Sequence, residues 1–306
     1  MILVLLPALL LSGAALGGFL GSRWWVFDLL ANFRPQYAVT CTLLGLILVA
    51  GRWRKTGGAV LALGLLNAGL VGLLWIPPSA PDATGETFTV MSFNVRASNE
   101  ARAGVFDYIL RTDPDVVFLH ETTRLWEEAA DAAGLDYEVY TVGQPGLIFS
   151  TMVLAPAGST FESFGFATAE PRAVEVRLQD GPSPVRVLGI HPISPITSER
   201  AAIRDAQLDW AAEWAASVGD RVVVTGDLNA SPWSHAFGRL VDDSGLLDSS
   251  RGFGLQPSFP MDGNPLIRVH IDHLLHSDDL VTVDRRLGPR LGSDHAPLIV
   301  ELALAG

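Results

Sequence analysis

The hydrophobic positions of this chain follow two patterns, and the first is a set of long runs without a charged residue. These runs are Met1–Leu20, Tyr37–Ala50 and Gly57–Ile76. A helix needs about 20 apolar residues to cross a bilayer. The first and third runs reach that length, and the second reaches it only with flanking residues. We therefore predict a membrane anchor over residues 1–76, with three transmembrane helices at about residues 1–20, 34–51 and 57–76.

The residues that flank these runs predict how the anchor is oriented. Tryptophans, which are common at membrane interfaces, stand at positions 24, 25, 53 and 75. The loop between the second and third runs contains Arg52, Arg54 and Lys55 and no acid, so the positive-inside rule places it in the cytoplasm. We therefore expect a multi-pass protein of the cell membrane whose remaining chain is extracytoplasmic. The alternative for the first run, a cleaved signal peptide, lacks the usual basic start and leaves two further runs unexplained.

The second pattern begins after a linker at residues 77–86, which is rich in Pro and small polar residues. From residue 87 to 306, short apolar runs typical of strands alternate with helical spacing. Strand patterns occur at residues 87–95, 116–119, 173–178, 185–190, 221–225, 269–275 and 297–302, and helical patterns at 101–111, 124–133 and 198–217. This alternation predicts an α/β domain.

The net charge of the chain changes sign at about the same place. Five basic residues and one acid give residues 1–80 a charge of +4, whereas sixteen basic and thirty-two acidic residues give the remainder −16. Nucleic-acid-binding proteins usually present a basic face, so we expect no nucleic acid as a partner. The 49% hydrophobic content excludes intrinsic disorder, and the single Cys, Cys41, excludes a disulfide framework.

Polar residues collect where the strand patterns of the α/β domain end. The acids among them are Glu121, Asp227, Asp272 and Asp294, accompanied by Asn94, Asn229, His191 and His295. Ligand sites of α/β proteins gather at strand ends, and hard oxygen donors select Mg²⁺, Mn²⁺ or Ca²⁺ rather than zinc. A divalent cation, an acid that orients water and a histidine facing a developing oxyanion together suit phosphoester hydrolysis.

Each of these features also has an ordinary structural explanation. A single Asp-His pair is usually a turn or a surface pair, and Gly, Asp and Asn all favour turns. The remaining histidines, at positions 120, 235, 270 and 276, are interpreted as packing or surface residues. The functional interpretation depends on the ordered combination.

That combination resembles the endonuclease/exonuclease/phosphatase superfamily, which has the DNase I-like fold. The motifs that carry the resemblance are Phe93-Asn94-Val95-Arg96, Glu121, His191, Gly226-Asp227-Leu228-Asn229-Ala230, Ser258-Phe259-Pro260, Ile271-Asp272-His273 and Gly292-Ser293-Asp294-His295. The resemblance implies a two-sheet α/β sandwich over residues 87–306, behind the three-helix anchor. It also implies a catalytic domain that hydrolyses phosphoesters.

The resemblance also implies a role for each site residue. Glu121 is similar to the main metal ligand, with Asn94 beside it and Asp294 as a further metal-site carboxylate. Asp227 is similar to the residue that orients or deprotonates the attacking water. The phosphate-binding residues by resemblance are His191, Asn229 and His295. Asp272 is similar to the partner of His295, whose tautomer and charge such a carboxylate supports.

Two residues depart from the family pattern. Arg96 stands where apurinic-site nucleases of this family have Asp, and Ser258 stands where Thr is common. The anchor and the segment Asp28–Gln36 (DLLANFRPQ) make the chain similar to membrane-anchored bacterial phosphoesterases related to VanJ-type teicoplanin-resistance proteins. That similarity implies a lipid-linked phosphate, pyrophosphate or phosphodiester as substrate.

Taken together, we expect a membrane-anchored, Mg²⁺-dependent phosphoesterase, with Mn²⁺ or Ca²⁺ as other cations. Membrane lipids are the expected partners. An extracytoplasmic nuclease or phosphodiesterase for soluble substrates is the alternative, followed by a non-catalytic membrane scaffold. The loops at 145–149 and 251–255 are candidates for contact with the bilayer, and the oligomeric state stays open.

Overall fold

A computed structural model describes residues 2–79, 83–143, 150–166, 173–178, 184–219 and 221–306. The candidate bilayer loop at 145–149 lies outside these residues. The chain divides into two compact units. The helical unit comprises residues 1–78, 230–238 and 251–255, and the α/β unit comprises residues 79–229, 239–250 and 256–306.

The helical unit contains the apolar runs. Its helices are α1 (Ile2–Gly17), α2 (Trp25–Ala31), α3 (Arg34–Ala50) and α4 (Arg54–Gly72), with 3-10 turns at Gly18–Leu20 and Leu73–Trp75. The segments at residues 230–238 and 251–255 belong to the same unit. The unit is therefore more than the N-terminal helices, because it includes two stretches of the later chain.

A buried arginine ties these helices together. Arg34 is only 4% exposed, and its guanidinium donates to Asn67 Oδ1 at 3.1 Å and to the Gly18 carbonyl at 3.1 Å. The guanidinium also lies 3.9 Å from the centre of the Phe19 ring. Because a buried charge is costly without partners, these contacts fix α3, α4 and the 3-10 turn after α1 against one another.

The helices agree with the predicted runs in position but not all in length. The helix from Arg54 to Trp75 is long and apolar enough to cross a membrane. Residues 4–20 meet the same criterion only together with residues 25–31, from which they are bent by 111°, and α3 is apolar but shorter. One or two of the described helices therefore meet the length criterion, where three were predicted. Multi-pass topology stays a prediction.

The α/β unit contains most of the strands and helices of the later chain. The strands are β1 (Ala83–Asn94), β2 (Val116–Thr122), β3 (Glu138–Val142), β4 (Ser150–Ala155), β5 (Thr160–Phe164), β6 (Ala173–Leu178), β7 (Val185–Gly189), β8 (Arg221–Asp227), β9 (Leu247–Asp248), β10 (Asp272–His276), β11 (Leu280–Leu287) and β12 (Leu298–Ala305). The helices are α5 (Arg102–Thr112), α6 (Arg124–Ala133), α7 (Ser198–Val218) and α8 (His235–Ser244), whose first turn lies in the helical unit.

These strands form two six-stranded sheets, which confirms the predicted α/β sandwich. The first sheet has the order β11-β12-β1-β2-β4-β3, and the second has the order β5-β6-β7-β8-β10-β9. Both are mixed: β1 is parallel to β2, and β7 is parallel to β8, whereas the other pairs are antiparallel. The sheets are thus built around parallel pairs whose carboxyl ends carry the polar motifs.

Two apolar clusters among the described residues hold the α/β unit together. One joins residues from both sheets, including Phe118, Val187 and Val300, all of which are fully buried. The other places Phe106 of α5 and Trp126 of α6 on the outer face of the first sheet, with their rings in edge contact. The buried strands have nearly continuous runs of apolar residues because both of their faces are covered.

Some boundaries differ from the sequence expectation. Strand β1 begins at Ala83, inside the predicted linker, and pairs there with β12. Strand β10 begins at Asp272 rather than at residue 269, because Val269 instead forms an isolated bridge with Phe259. The strand β11 had no sequence prediction of its own; its mixture of charged and apolar residues hides the pattern.

Close packing between the sheets predicts that Gly189 is intolerant of a side chain. A Cβ at Gly189 would lie 2.0 Å from Cδ1 of the fully buried Phe118 ring. We expect Gly189→Ala to lower the free energy of unfolding by about 1–3 kcal/mol, as overpacking does. Adding Phe118→Leu should recover part of this loss.

Thermal and denaturant unfolding of the full-length protein would measure this effect. The matched control is Gly104→Ala in α5, where a Cβ has no neighbour within 4 Å. That change should be neutral or stabilising by up to about 1 kcal/mol. Equal stabilities for the two alanine variants would contradict the described packing.

Candidate active site

The polar motifs of the α/β unit meet because the strands that carry them are neighbours. Asn94 ends β1, and its register partner on the parallel strand β2 is His120, next to Glu121. Asp227 ends β8 and pairs with Asp272, the first residue of the antiparallel strand β10. One edge of the sandwich therefore collects a carboxamide and three carboxylates.

Asp227 lies at the centre of the polar groups at this edge. Its Oδ2 accepts a hydrogen bond from Asn94 Nδ2 at 3.1 Å and lies 3.5 Å from Nε2 of both His191 and His295. Its Oδ1 accepts the backbone N–H of Asn229 at 3.0 Å. The carboxylate is only 2% exposed. A buried anion of this kind is stable because four donor groups surround it.

His295 is held by a second carboxylate. Its Nδ1 lies 2.9 Å from Asp272 Oδ2, and Asp272 is fully buried. The Phe259 ring stacks at a tilt on the imidazole, with centroids 4.6 Å apart, and Ser258 Oγ accepts the Asp272 N–H at 3.4 Å. The Ser258-Phe259-Pro260 motif thus orients the pair, and the imidazole directs Nε2 toward Asp227.

The charges of these groups follow from their partners. Burial disfavours protonation of His295, but Asp272 and Asp227 outweigh it and raise its pKa to about 10. Burial opposes the charge of His191 as well, yet Asp227 and Glu121 raise its pKa. Although burial would raise the pKa of Asp227, the two histidines and Asn94 hold it below its usual value. The site therefore pairs an ionised carboxylate with two histidines whose pKa values are raised.

Residues with strained backbone conformations occur at the same edge of the sandwich. Among the described residues, positive φ occurs outside glycine at Arg96 (61°), Glu121 (60°) and Asn229 (50°), and at Asp113, which ends α5. Such conformations persist where surrounding contacts over-determine them, often at functional sites. Arg96 and Asn229 follow the ends of β1 and β8, and Glu121 lies at a register shift near the end of β2.

The glycine of the Gly-Asp-Leu-Asn motif has its own steric reason. Gly226 has φ of 149°, and a Cβ there would lie 1.8 Å from the Ile190 carbonyl oxygen. No other residue fits this close backbone approach, which brings the loop that begins at Ile190 beside Asp227. The position of His191 next to Asp227 therefore depends on this glycine.

Glu121 is the best-placed candidate for binding a cation. Its side chain is 26% exposed, its Oε1 accepts from Asn94 Nδ2 at 2.9 Å, and His191 Nε2 lies 3.9 Å away. Asn94 directs its amide nitrogen toward both carboxylates, while its Oδ1 accepts the Arg96 N–H at 3.1 Å. The carboxyl groups at positions 121, 227, 272 and 294 outnumber the two histidines, so the site is rich in oxygen donors, which fits a hard divalent cation.

A second group could also hold a metal. Asp227, Asp272 and His295 are buried and offer ligand atoms within 4.8 Å of one another. Both nitrogens of His295, however, face carboxylates, an arrangement that holds protons on the ring. We therefore regard this group as a hydrogen-bonded relay and Glu121 as the more accessible cation ligand.

The last two predicted residues lie beside this cluster. Asn229 uses its side-chain amide to donate to the Pro192 carbonyl at 3.0 Å, which ties it to the chain after His191. Asp294 is 25% exposed, and Arg96 Nε lies 4.0 Å from its Oδ2. Neither has a direct polar contact to Glu121 among the described contacts. Their roles in phosphate and metal binding stay predictions.

Three residues around the site were not anticipated as part of it. His120 is fully buried and packs 5.6 Å from the His191 ring, and burial lowers its pKa to about 3. Arg285 is buried and donates to His270 Nε2 at 3.0 Å and to the Asp272 carbonyl at 3.3 Å. Arg96, whose Nη1 pairs with Asp262 at 2.8 Å, was interpreted only as a departure from the nuclease branch. Its place in the Phe-Asn-Val-Arg motif, directly after Asn94 and Val95, was the sequence feature that could have indicated that Arg96 lies at the site.

The sequence model of the Endonuclease/Exonuclease/phosphatase family matches residues 91–295. This range covers more than half of the chain and every predicted site residue. The chain therefore belongs to the endonuclease/exonuclease/phosphatase family, whose members hydrolyse phosphoesters. No curated protein matches the chain.

Solved structures show the same fold at low sequence identity. Truncated TDP2 of Caenorhabditis elegans is 19% identical with a TM-score of 0.59, covering 72% of this chain and 99% of that one. TDP2 of D. rerio, solved with a single-strand DNA product, is 17% identical with a TM-score of 0.60 and covers 71% and 99%. A family protein of Bacteroides thetaiotaomicron is 16% identical with a TM-score of 0.55 and covers 72% and 99%.

The buried neutral His120 predicts a pH dependence of stability. An unfolded histidine takes up a proton below about pH 6.5, whereas folded His120 stays neutral down to about pH 3. The unfolded state therefore binds more protons in this window, and stability falls as the pH falls, by about 1.4 kcal/mol per pH unit for one such group.

Replacing His120 by Asn removes this contribution. The Tm of His120→Asn should fall less steeply than that of the wild type between pH 6.5 and pH 4.5, whatever its value at neutral pH. Thermal unfolding at a series of pH values measures both slopes. Parallel curves would show that His120 is not held neutral in the folded protein.

Proposed function

We propose that this protein is a divalent-metal-dependent phosphoesterase that hydrolyses a lipid-linked phosphate, pyrophosphate or phosphodiester. The observation that carries the proposal is the convergence of His191, His295 and Asn94 on buried Asp227, with Glu121 alongside. Structural ion pairs rarely need two buried histidines and a strained glutamate at one point. A reaction that develops negative charge on phosphoryl oxygens is accelerated by positioned donors of this kind.

Each residue has a defined task in this proposal. A cation held by Glu121, with Asn94 and Asp294 nearby, would neutralise phosphate charge and polarise the ester. Asp227, whose pKa is held low, is a weak base but a strong hydrogen-bond acceptor, so it orients the attacking water. The imidazolium groups of His191 and His295 donate to phosphoryl oxygens as charge grows on them.

Asp272 acts by fixing His295. Its carboxylate selects the tautomer, favours the charged ring and keeps Nε2 directed into the site. Asn229 fixes the neighbouring loop through Pro192 and has a further role in contacting phosphate. The site is thus built to stabilise charge rather than to form a covalent intermediate.

The lipid-linked substrate and the membrane location are supported by the helical unit. The helix from Arg54 to Trp75 could span a bilayer, and Trp24, Trp53 and Trp75 are 50%, 40% and 55% exposed. Exposed tryptophans at helix ends suit a membrane interface. Confinement to the membrane raises the effective concentration of a lipid substrate. The basic 52–55 loop favours an extracytoplasmic α/β unit.

A nuclease or phosphodiesterase for soluble substrates is the second candidate. The likeness to TDP2 of D. rerio, which was solved with a single-strand DNA product, favours it. The charge of −16 after residue 80 opposes it, because a polyanion binds through basic groups that release its counterions. A non-catalytic scaffold is disfavoured because one series of polar contacts links Glu121, His191, Asp227, His295 and Asp272.

The first test is the loss of hydrolysis in site variants. Asp227→Asn and His295→Asn should each lower kcat by about 10²–10⁴-fold, since each removes a charge on which the transition state depends. Chelation with EDTA should abolish activity, and Mg²⁺ should restore it. The control is Asp284→Asn, which breaks an exposed ion pair with Arg286. Activity that survives in both site variants would refute the mechanism.

The second test identifies the substrate class. The full-length protein, supplied with Mg²⁺, is given a prenyl pyrophosphate in vesicles, a phospholipid, a soluble aryl phosphodiester and plasmid DNA under one set of conditions. We expect kcat/KM to be at least about tenfold higher for a lipid-linked substrate, because of its effective concentration at the membrane. Faster cleavage of DNA or of the soluble ester would establish the second candidate.

A further inference from the structure

Arg285 is a buried cation that the proposed chemistry does not use. It lies in β11 and is only 2% exposed. A guanidinium in a protein interior is costly unless hydrogen bonds or an opposite charge compensate for the loss of water. The groups around Arg285 therefore indicate what the residue does.

The side chain of Arg285 donates to neutral groups. Its described acceptors are Ser249 Oγ at 3.2 Å from Nε, Gln256 Oε1 from Nη1, and His270 Nε2 at 3.0 Å and the Asp272 carbonyl at 3.3 Å, both from Nη2. None of these acceptors is a carboxylate. The hydrogen bonds thus satisfy the donors of the guanidinium but leave its positive charge without a counter-ion in direct contact.

The guanidinium keeps this charge at neutral pH. Burial lowers the pKa of Arg285 to about 10, and the carboxylates of Asp248 and Asp272 oppose that shift. Burial and the Arg285 charge lower the pKa of His270 well below its usual value, so His270 serves as a neutral acceptor. The charge of Arg285 is therefore available to one of the two acids.

The hydrogen bonds of these two acids indicate which of them needs it. Asp248 accepts two hydrogen bonds from Ser250, one from the N–H at 2.9 Å and one from Oγ at 2.7 Å. Asp272 is fully buried, and only its Oδ2 is bonded, to His295 Nδ1 at 2.9 Å. Its Oδ1 is buried without a hydrogen-bond partner among the described residues. A buried carboxylate with an unpaired oxygen requires nearby positive charge, so Arg285 suits Asp272.

Arg285 also connects the two sheets of the α/β unit. It lies in β11 of the first sheet, whereas Asp272 begins β10 of the second sheet and Ser249 follows β9 of the second sheet. Asp272 is in turn the register partner of Asp227. A displacement of Asp272 would therefore reach the centre of the candidate active site.

We propose that Arg285 is a positioning residue for the Asp272–His295 pair. Its hydrogen bonds hold the backbone of Asp272, and its charge compensates the Asp272 carboxylate, which directs His295 Nε2 toward Asp227. The effect of Arg285 on rate rests on the proposed function, whereas its effect on the hydrogen bond between Asp272 and His295 does not. The competing explanation is that Arg285 only ties the two sheets together.

Substitutions of Gln256 and Arg285 in the full-length protein separate charge from packing. Gln256→Glu places a carboxylate against Arg285 and draws its charge away from Asp272, whereas Gln256→Met removes the same hydrogen bonds and adds no charge. Arg285→Lys keeps the charge of the residue, and Arg285→Gln removes it. The matched control is Arg286→Gln, at the next position of β11, where the side chain is 48% exposed and pairs with Asp284.

The first readout is hydrolysis of a soluble aryl phosphodiester with Mg²⁺, assayed well below the Tm of each variant. We expect Arg285→Gln and Gln256→Glu to lower kcat by about tenfold or more, with KM within about twofold, because misplaced catalytic groups cost rate. Arg285→Lys, Gln256→Met and Arg286→Gln should stay within about threefold of the wild type. In an Asp272→Asn background, Arg285→Gln should cost at most about twofold more, because residues that act through one another are non-additive.

The second readout is proton NMR, which needs no activity. A proton between His295 Nδ1 and the Asp272 carboxylate should give a strongly downfield signal that is absent in His295→Asn. We expect this signal to persist in Arg286→Gln and Gln256→Met. It should shift upfield or disappear in Arg285→Gln and Gln256→Glu, whereas a role confined to tying the sheets would leave it unchanged in Gln256→Glu.

Three results would overturn the positioning role. The first is a Gln256→Glu variant with wild-type kcat and an unchanged signal, which is decisive even if Arg285→Gln does not fold. The second is an equal loss of kcat in Arg285→Lys and Arg285→Gln, because the charge would then not matter. The third is an additive loss in the Asp272→Asn background. A wild type that hydrolyses no phosphoester would instead overturn the proposed function, and the NMR signal would still decide whether Arg285 supports the pair.

Discussion

The candidate active site depends on one interaction, the contact of the buried Asp227 carboxylate with two histidines. An isolated carboxylate in this interior would be neutralised by a proton, and two imidazoles would lose theirs. Together, and with Asn94 and Asp272, these groups lower the pKa of Asp227 and raise the pKa values of both histidines. The requirement to bring these groups within 3.5 Å explains the features around them: a glycine with no room for Cβ, strained residues near the ends of three strands and a Phe ring on His295.

The topology of the two sheets brings the polar side chains of the site together. Two parallel strand pairs, β1 with β2 and β7 with β8, end at the same edge of the sandwich, so short loops suffice to carry the polar side chains. The rigid core between the sheets, with Phe118 against Gly189, allows no adjustment of those ends. The fold therefore accounts for how the site is held, and the family assignment accounts for what kind of reaction it suits.

Much of this could be predicted from the sequence, and the limits have physical causes. The site residues could be found because Gly-Asp-Leu-Asn and Ser-Asp-His are local motifs at strand ends. Strand β11 could not, because Asp284, Arg285 and Arg286 interrupt its apolar pattern, and the buried role of Arg285 arises only from tertiary contacts. Likewise, the sequence around Asp28 does not indicate its hydrogen-bond partner, because that partner, the N–H of His235, lies 207 positions later.

In the proposed reaction, water oriented by Asp227 attacks phosphorus. Hydrolysis of a prenyl pyrophosphate by the full-length protein in water enriched in oxygen-18, followed by mass spectrometry of both products, tests it directly. We expect one oxygen-18 atom bound to phosphorus in a single product, whether phosphate, prenyl phosphate or pyrophosphate, and none in the hydroxyl group of a prenyl alcohol. Label in the prenyl alcohol, or no hydrolysis of any phosphoester in the presence of Mg²⁺, would contradict it.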